Sequence, residues 1–152
     1  MTHAALLTPV PELLLQRSEA VLAAHEQVAF GSRAWEVFRK LDVLRVESPV
    51  VVYLYASHPE TPVGQKVTWT GLYIGHVDSL GGTYPGDPSL RPLVLADDED
   101  DSGYWAVFWH LSDLVKLSPE EWIDIGNLRN FKTQNRYGAG FVPEGPTIVG
   151  HP

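Results

Sequence analysis

The chain has 152 residues, of which 44% are apolar and 20% charged, with a formal net charge of −8. That length supports one domain with a proper core, and the acidic balance argues against gripping long duplex DNA, which needs a basic face. With no cysteine in the sequence, disulfides and thiolate-zinc sites are excluded.

The opening stretch, MTHAALLTPVPELLLQR, lacks the basic start and cleavage pattern of a secretory leader. No run of about 18 apolar residues follows, so no membrane span is expected and the cytoplasm is the expected compartment. Residues 9–30 read as a helix, with Thr8 as cap, Pro9 in the first turn and Gly31 at its end. Leu14, Val21, Ala24 and Val28 recur there at helical spacing. A second helix is expected after Ser32, with Trp35, Phe38 and Leu41 as its apolar stripe and Arg33, Glu36, Arg39 and Lys40 on its wet side.

The period then changes from helical to two. Residues 43–46 and 49–56 are rich in valine and tyrosine and read as strands. A polar loop over 57–66 leads to a strand over 67–77, in which Gly71 and Gly75 predict bulges or a tight bend. A glycine- and proline-rich loop, a short strand RPLVLA, the acidic turn DDEDDSG and the strand YWAVFWHL follow. Ser118 to Glu121 has capping-box spacing with proline at the first helical position, and the segment from Asn130 onward reads as irregular. The expected domain is therefore single: a helical segment over 1–42, a mostly antiparallel barrel over 43–131 and a wrapping tail over 132–152.

Candidate functional residues cluster at strand ends. In VVVYLYASHP, residues 50–59, Val50, Val52, Leu54 and Ala56 share a core-like face. Val51, Tyr53, Tyr55 and Ser57 share the other, so a hydroxyl stands in line with two phenols. Either that face lines a pocket mouth or Ser57 simply opens a loop. In the strand YWAVFWHL, Trp105 and Phe108 are expected in the core, while Trp109 lies nearer the strand end, where pockets form. His58, His76 and His110 have no metal-binding spacing and no cysteine to help, so no metal is expected. A nucleophile pair of Ser57 with His76 or His110, assisted by Asp78, has no nucleophile elbow to support it. The acidic run, Asp97 to Asp101, lacks calcium-loop spacing and reads as a solvated turn. NLRNFK, residues 127–132, is a locally basic and aromatic patch.

Three stretches carry a family resemblance. FRKLDVLRVESPVVVYLYAS resembles the start of PUA-like domains of the EVE and ASCH kind, VTWTGLYIGHVDS their next barrel strand, and YWAVFWHLSDLVKLSPEEW a later strand with its crossing segment. Together they span roughly residues 32–130. The resemblance implies an α+β fold with a small twisted, mostly antiparallel PUA-like β-barrel after two helices. It also implies non-catalytic binding of a planar group, a nucleobase or nucleic-acid moiety, between aromatic side chains. By position in that scheme the ligand-binding residues are Tyr55, Ser57, His58, Trp69 and Trp109, with Asn127, Arg129 and Phe131 closing the site. No cofactor is implied, and the partner is nucleic acid read through a single base, or a nucleoside-like ligand. Two alternatives stand beside it. One is a small hydrolase of modified nucleosides, as some ASCH-type proteins are, although the Gly-x-Lys-x-x-Glu motif is missing and Lys66 with Glu47 is the only nearby pair to nominate. The other is an interaction module for another protein or a second copy.

Overall fold

The computed structural model describes residues 3–57, 66–92, 105–141, 143 and 145–151. In chain order the elements are β1 (His3–Pro11), α1 (Glu12–His25), β2 (Val28–Ser32), α2 (Trp35–Leu44), β3 (Val50–Ser57), β4 (Lys66–Val67) and β5 (Trp69–Asp78). They continue with β6 (Val107–Lys116), β7 (Ile123–Asp124), β8 (Arg129–Asn130) and β9 (Thr147–His151). Seven strands form one sheet in the order β2-β6-β5-β3-β1-β9-β8, while β4 and β7 pair separately. Only β1 with β3 is parallel; the other described pairings are antiparallel. The fold is thus α+β with a mostly antiparallel sheet. Among the described residues this sheet does not close, and β2 and β8 are its edges.

The N-terminal segment corrects the helical expectation for residues 9–30. The run HAALLTPVP forms β1, the helix begins only at Glu12, and Val28 to Ser32 is a strand. The reason is two-sided burial. Ala4 to Thr8 are all buried between β3 and β9, and a strand covered on both faces reads as a continuous apolar run, which periodicity does not separate from a helix. Gly31 sits inside β2 rather than ending a helix: a Cβ there would lie 2.5 Å from the Trp105 ring, so glycine lets that indole rest against the strand.

The second helix forms as expected, burying Phe38 and Leu41, while Trp35 is largely exposed. Ser32 Oγ accepts a hydrogen bond from the Ala34 N–H at 3.1 Å just ahead of it. Residues 43–46 are its last turn and the following turn, not a strand; Val46 is 83% exposed. The expected irregular tail instead returns to the sheet as β9, antiparallel to β1. Ser118 to Glu121 does form a capping box, but on a single 3-10 turn, followed by the two-residue β7. Bulges fall at both expected glycines, between Thr70 and Leu72 and between Tyr73 and Gly75. Most of RPLVLA and the whole acidic run lie outside the described residues.

The sheet separates two cores. On one face Val50, Val52 and Leu54 of β3 pack with Trp69, Tyr73 and Trp109 and with Leu15, Phe38 and Leu41 of the helices. On the other, Tyr53 joins Ala5, Leu7 and Val149 under the segment that carries Val67, Ile125 and Leu128. Phe38 is central to the first core, stacked on Trp109 at 5.6 Å and 5.9 Å from the Tyr73 ring. Phe38→Ala is expected to cost about 3–5 kcal/mol in urea unfolding, and Val46→Ala less than about 0.5 kcal/mol. Equal midpoints for the two variants contradict this placement of the core.

Candidate functional site

A cavity of about 700 Å³ opens where the ends of β1 and β2 approach each other. One wall is Thr8 to Pro11 at the end of β1, with Leu14 of α1. The facing wall is Phe30 to Ala34, where β2 gives way to α2. Trp105, Trp109, Arg91 and Pro146 complete it. The volume falls in the range of roughly 300–1,000 Å³ usual for small-molecule sites.

Each wall residue is held by its own strand. Trp109 pairs across from Phe30 in the β2–β6 ladder, and their rings lie 5.0 Å apart. The ladder is prolonged by the Ala106 N–H donating to the Ser32 carbonyl at 3.0 Å, which carries Trp105 onto the backbone of Gly31. Arg91 is buried; its Nη1 donates to the Ala29 carbonyl at 2.7 Å and its guanidinium lies 4.9 Å from the Phe108 ring. That hydrogen bond caps the outer side of edge strand β2. Arg33, exposed in the turn between β2 and α2, stands at the cavity wall.

The residues expected to form one pocket do not converge. Trp109 lines the cavity, though only 1% of it is exposed. Trp69 is equally buried; its indole N–H donates to the Glu12 carboxylate at 3.3 Å and Lys116 lies over its ring. Tyr55 is on the opposite face, against the second core, and burial raises its phenol to about 12. Ser57 ends β3 opposite Pro11. Asn127 and Arg129 are exposed on the segment covering that second core, with Arg129 donating to the Gln134 carbonyl, and Phe131 is half-buried beside them. His58 lies outside the described residues. Sequence reasoning missed Phe30, Arg91 and the role of Trp105. The Gly31-Ser32-Arg33 run was its available signal, since a glycine there exposes backbone to an aromatic ring.

A second polar group lies under α2. Strand alternation alone sets Tyr73 and His76 on opposite faces, but the bulge at Gly75, whose φ is 125°, returns them to one side. There Asp42 accepts a hydrogen bond from the Tyr73 hydroxyl at 2.7 Å, lies 2.7 Å from His76 Nδ1 and pairs with Arg45 Nε at 3.1 Å. Burial, then the Asp42 hydrogen bond and charge, hold the Tyr73 phenol far above its ordinary range. The acid beside His76 is therefore Asp42 and not Asp78.

The β3–β5 register pairs Val50 with Tyr73 and Leu54 with Trp69, and His110 sits opposite Gly75. Ser57 and both histidines thus belong to opposite ends of the sheet, which removes the Ser57 nucleophile pair. Lys66 is bound to Asp124 across β4 and β7, so it does not serve Glu47. No three His, Asp or Glu side chains form a possible metal site among the described residues.

Comparison with known protein-family models and with curated proteins finds no match to this chain. No described helix is long and apolar enough to cross a membrane.

His110 offers a test of the local electrostatics. Its Nε2 is 2.8 Å from the Tyr84 hydroxyl, and burial depresses its pKa below the ordinary 6.5, partly offset by a hydrogen bond to the Gly75 backbone. A depressed histidine favours the folded state above pH 6.5 and loses that contribution as pH falls toward its folded value. Urea stability is expected to drop between pH 7 and 5, with a smaller drop in His110→Gln. The same slope in both proteins assigns the loss to other groups.

Proposed function

We propose that the chain binds a small planar ligand, of nucleobase type, without chemical change, in the cavity between the ends of β1 and β2. One observation carries this: the cavity is lined by Trp105, the least buried of its three rings, over Phe30 and Trp109, with two hydroxyls, Thr8 and Ser32, at its wall. Flat rings are suited to stacking on a flat ligand, and hydroxyls fix its orientation at modest cost. The described lining contains no carboxylate, imidazole or lysine, which favours binding over hydrolysis, since general acid–base work needs such a group within reach.

The PUA-like character of the fold belongs to the same proposal. It is supported by β1 and β2, four places apart in the strand order, lining one cavity, as in a sheet curled toward a barrel. The glycine-bulged β5 at the centre of that curl agrees with it. The ligand position differs from the one the resemblance implied: Trp109 is retained, and Trp69 and Tyr55 are not part of the enclosure.

Titration of intrinsic tryptophan fluorescence with bases and nucleosides is expected to give saturable quenching in the wild type. Quenching should persist in Trp122→Phe, whose indole donates to the Leu117 carbonyl away from the cavity lining, and should fall at least about tenfold in affinity in Trp105→Ala, as loss of a stacking ring predicts. Unchanged affinity in a folded Trp105→Ala protein places the ligand elsewhere, and absence of quenching by the whole series removes the proposal.

A further inference from the structure

We infer that Thr8 sets the specificity of this cavity: its hydroxyl donates a hydrogen bond to an acceptor on the edge of the bound ring, so the ligand is an oxo- or aza-heterocycle rather than a hydrocarbon ring. The inference rests on the cavity being the binding site. It adds which side chain reads the ligand and what that side chain requires.

Thr8 is the one polar residue in the run AALLTPV, residues 4–10. The antiparallel pairing of β1 with β9 ends one residue before it, at Leu7 opposite Thr147. The cavity begins there, with Thr8 to Pro11 along one wall. Strand alternation puts Thr8 on the face of Leu6 and Val10, which share a core with the lining residues Phe30 and Trp109. The side chain is therefore turned toward those rings and away from the second core. Thr8 is 2% exposed, and among the described residues its hydroxyl makes no hydrogen bond. Valine has the same shape and would fill a buried strand position without a polar atom. A hydroxyl withdrawn from water without a partner costs stability, so its presence is accounted for by a partner that arrives with the ligand.

The partner it requires is an acceptor. A hydroxyl has one hydrogen to give, and an orphaned donor is rarer in proteins than an under-used lone pair. Pro9 and Pro11 have no N–H, which leaves the β1 wall short of backbone donors. On the facing wall, Ser32 shares the Phe30 side of β2 and is 6% exposed. Its Oγ already accepts from the Ala34 N–H at 3.1 Å, which leaves its own O–H to donate. Both walls thus offer donors to a ring that carries exocyclic oxygens or ring nitrogens, as an oxopurine or oxopyrimidine does.

The test is calorimetric titration of the whole chain with hypoxanthine and with indole, a bicyclic ring of similar size that has no acceptor at its edge. Wild type, Thr8→Val and Thr8→Ser are compared. Hypoxanthine is expected to bind Thr8→Val about tenfold more weakly than wild type, the scale of one hydrogen bond. Thr8→Ser should restore most of that affinity, and indole should bind all three proteins alike. Without ligand, Thr8→Val should unfold at the same or a higher urea concentration than wild type, because it removes a buried hydroxyl that has no partner. Hypoxanthine binding Thr8→Val as tightly as wild type, or indole weakening in parallel, overturns the role of Thr8 and leaves the cavity reading in place. A lower urea midpoint for Thr8→Val also overturns it, since the hydroxyl then serves the fold. If neither ring binds the wild type, the cavity reading falls and the inference falls with it.

Discussion

β3 is the middle strand of seven, flanked by β5 and β1, and both of its faces are covered. Its alternation is what divides the protein. Val50, Val52 and Leu54 commit one face to the helices, and Val51, Tyr53 and Tyr55 commit the other to the later segment. A register slip of one residue would send phenols among the helices and valines toward the tail, so the pairing is strongly specified. The Tyr53 hydroxyl, 2.7 Å from His151 Nδ1, adds a directional tie between β3 and β9.

The two helices use that divided sheet differently. α1 buries few side chains, chiefly Leu15 and Ser18, whose hydroxyl returns to the Leu14 carbonyl at 2.6 Å. α2 is strongly one-sided and is fastened at its far end by Asp42, which gathers Tyr73, His76 and Arg45. The cavity wall formed by Phe30 to Ala34 ends where α2 begins, with Ala34 as the cap of that helix.

Much of the sheet was legible in the sequence. The two faces of β3, the bulges at Gly71 and Gly75 and the helix containing Phe38 follow from period-two alternation, strand glycines and helical spacing. What escaped in β1 and β2 did so through burial on both sides. β1 has no polar face, so Ala5, Leu6 and Leu7 carry no period, and the proline at position 9 imitates a helix start. The site was less legible than the fold. Tryptophan at position 69 and tryptophan at position 109 have similar strand settings and are equally buried in one core, and only three-dimensional packing sets the second beside the cavity. Arg91 lies in a loop far from Ala29 in sequence, and nothing local announces that it caps β2.

The placement of β1 has a consequence for synthesis. One side of this strand is satisfied by β3, but the other waits for β9, with His3 opposite His151 and Leu7 opposite Thr147. While the intervening residues are being translated, β1 presents an apolar strand with an open hydrogen-bonding side. Pairings of such wide sequence separation form late, and unpaired strand edges in the interval invite association with other chains. Covering β1 until residues 147–151 are in place therefore removes the open edge on which such association depends.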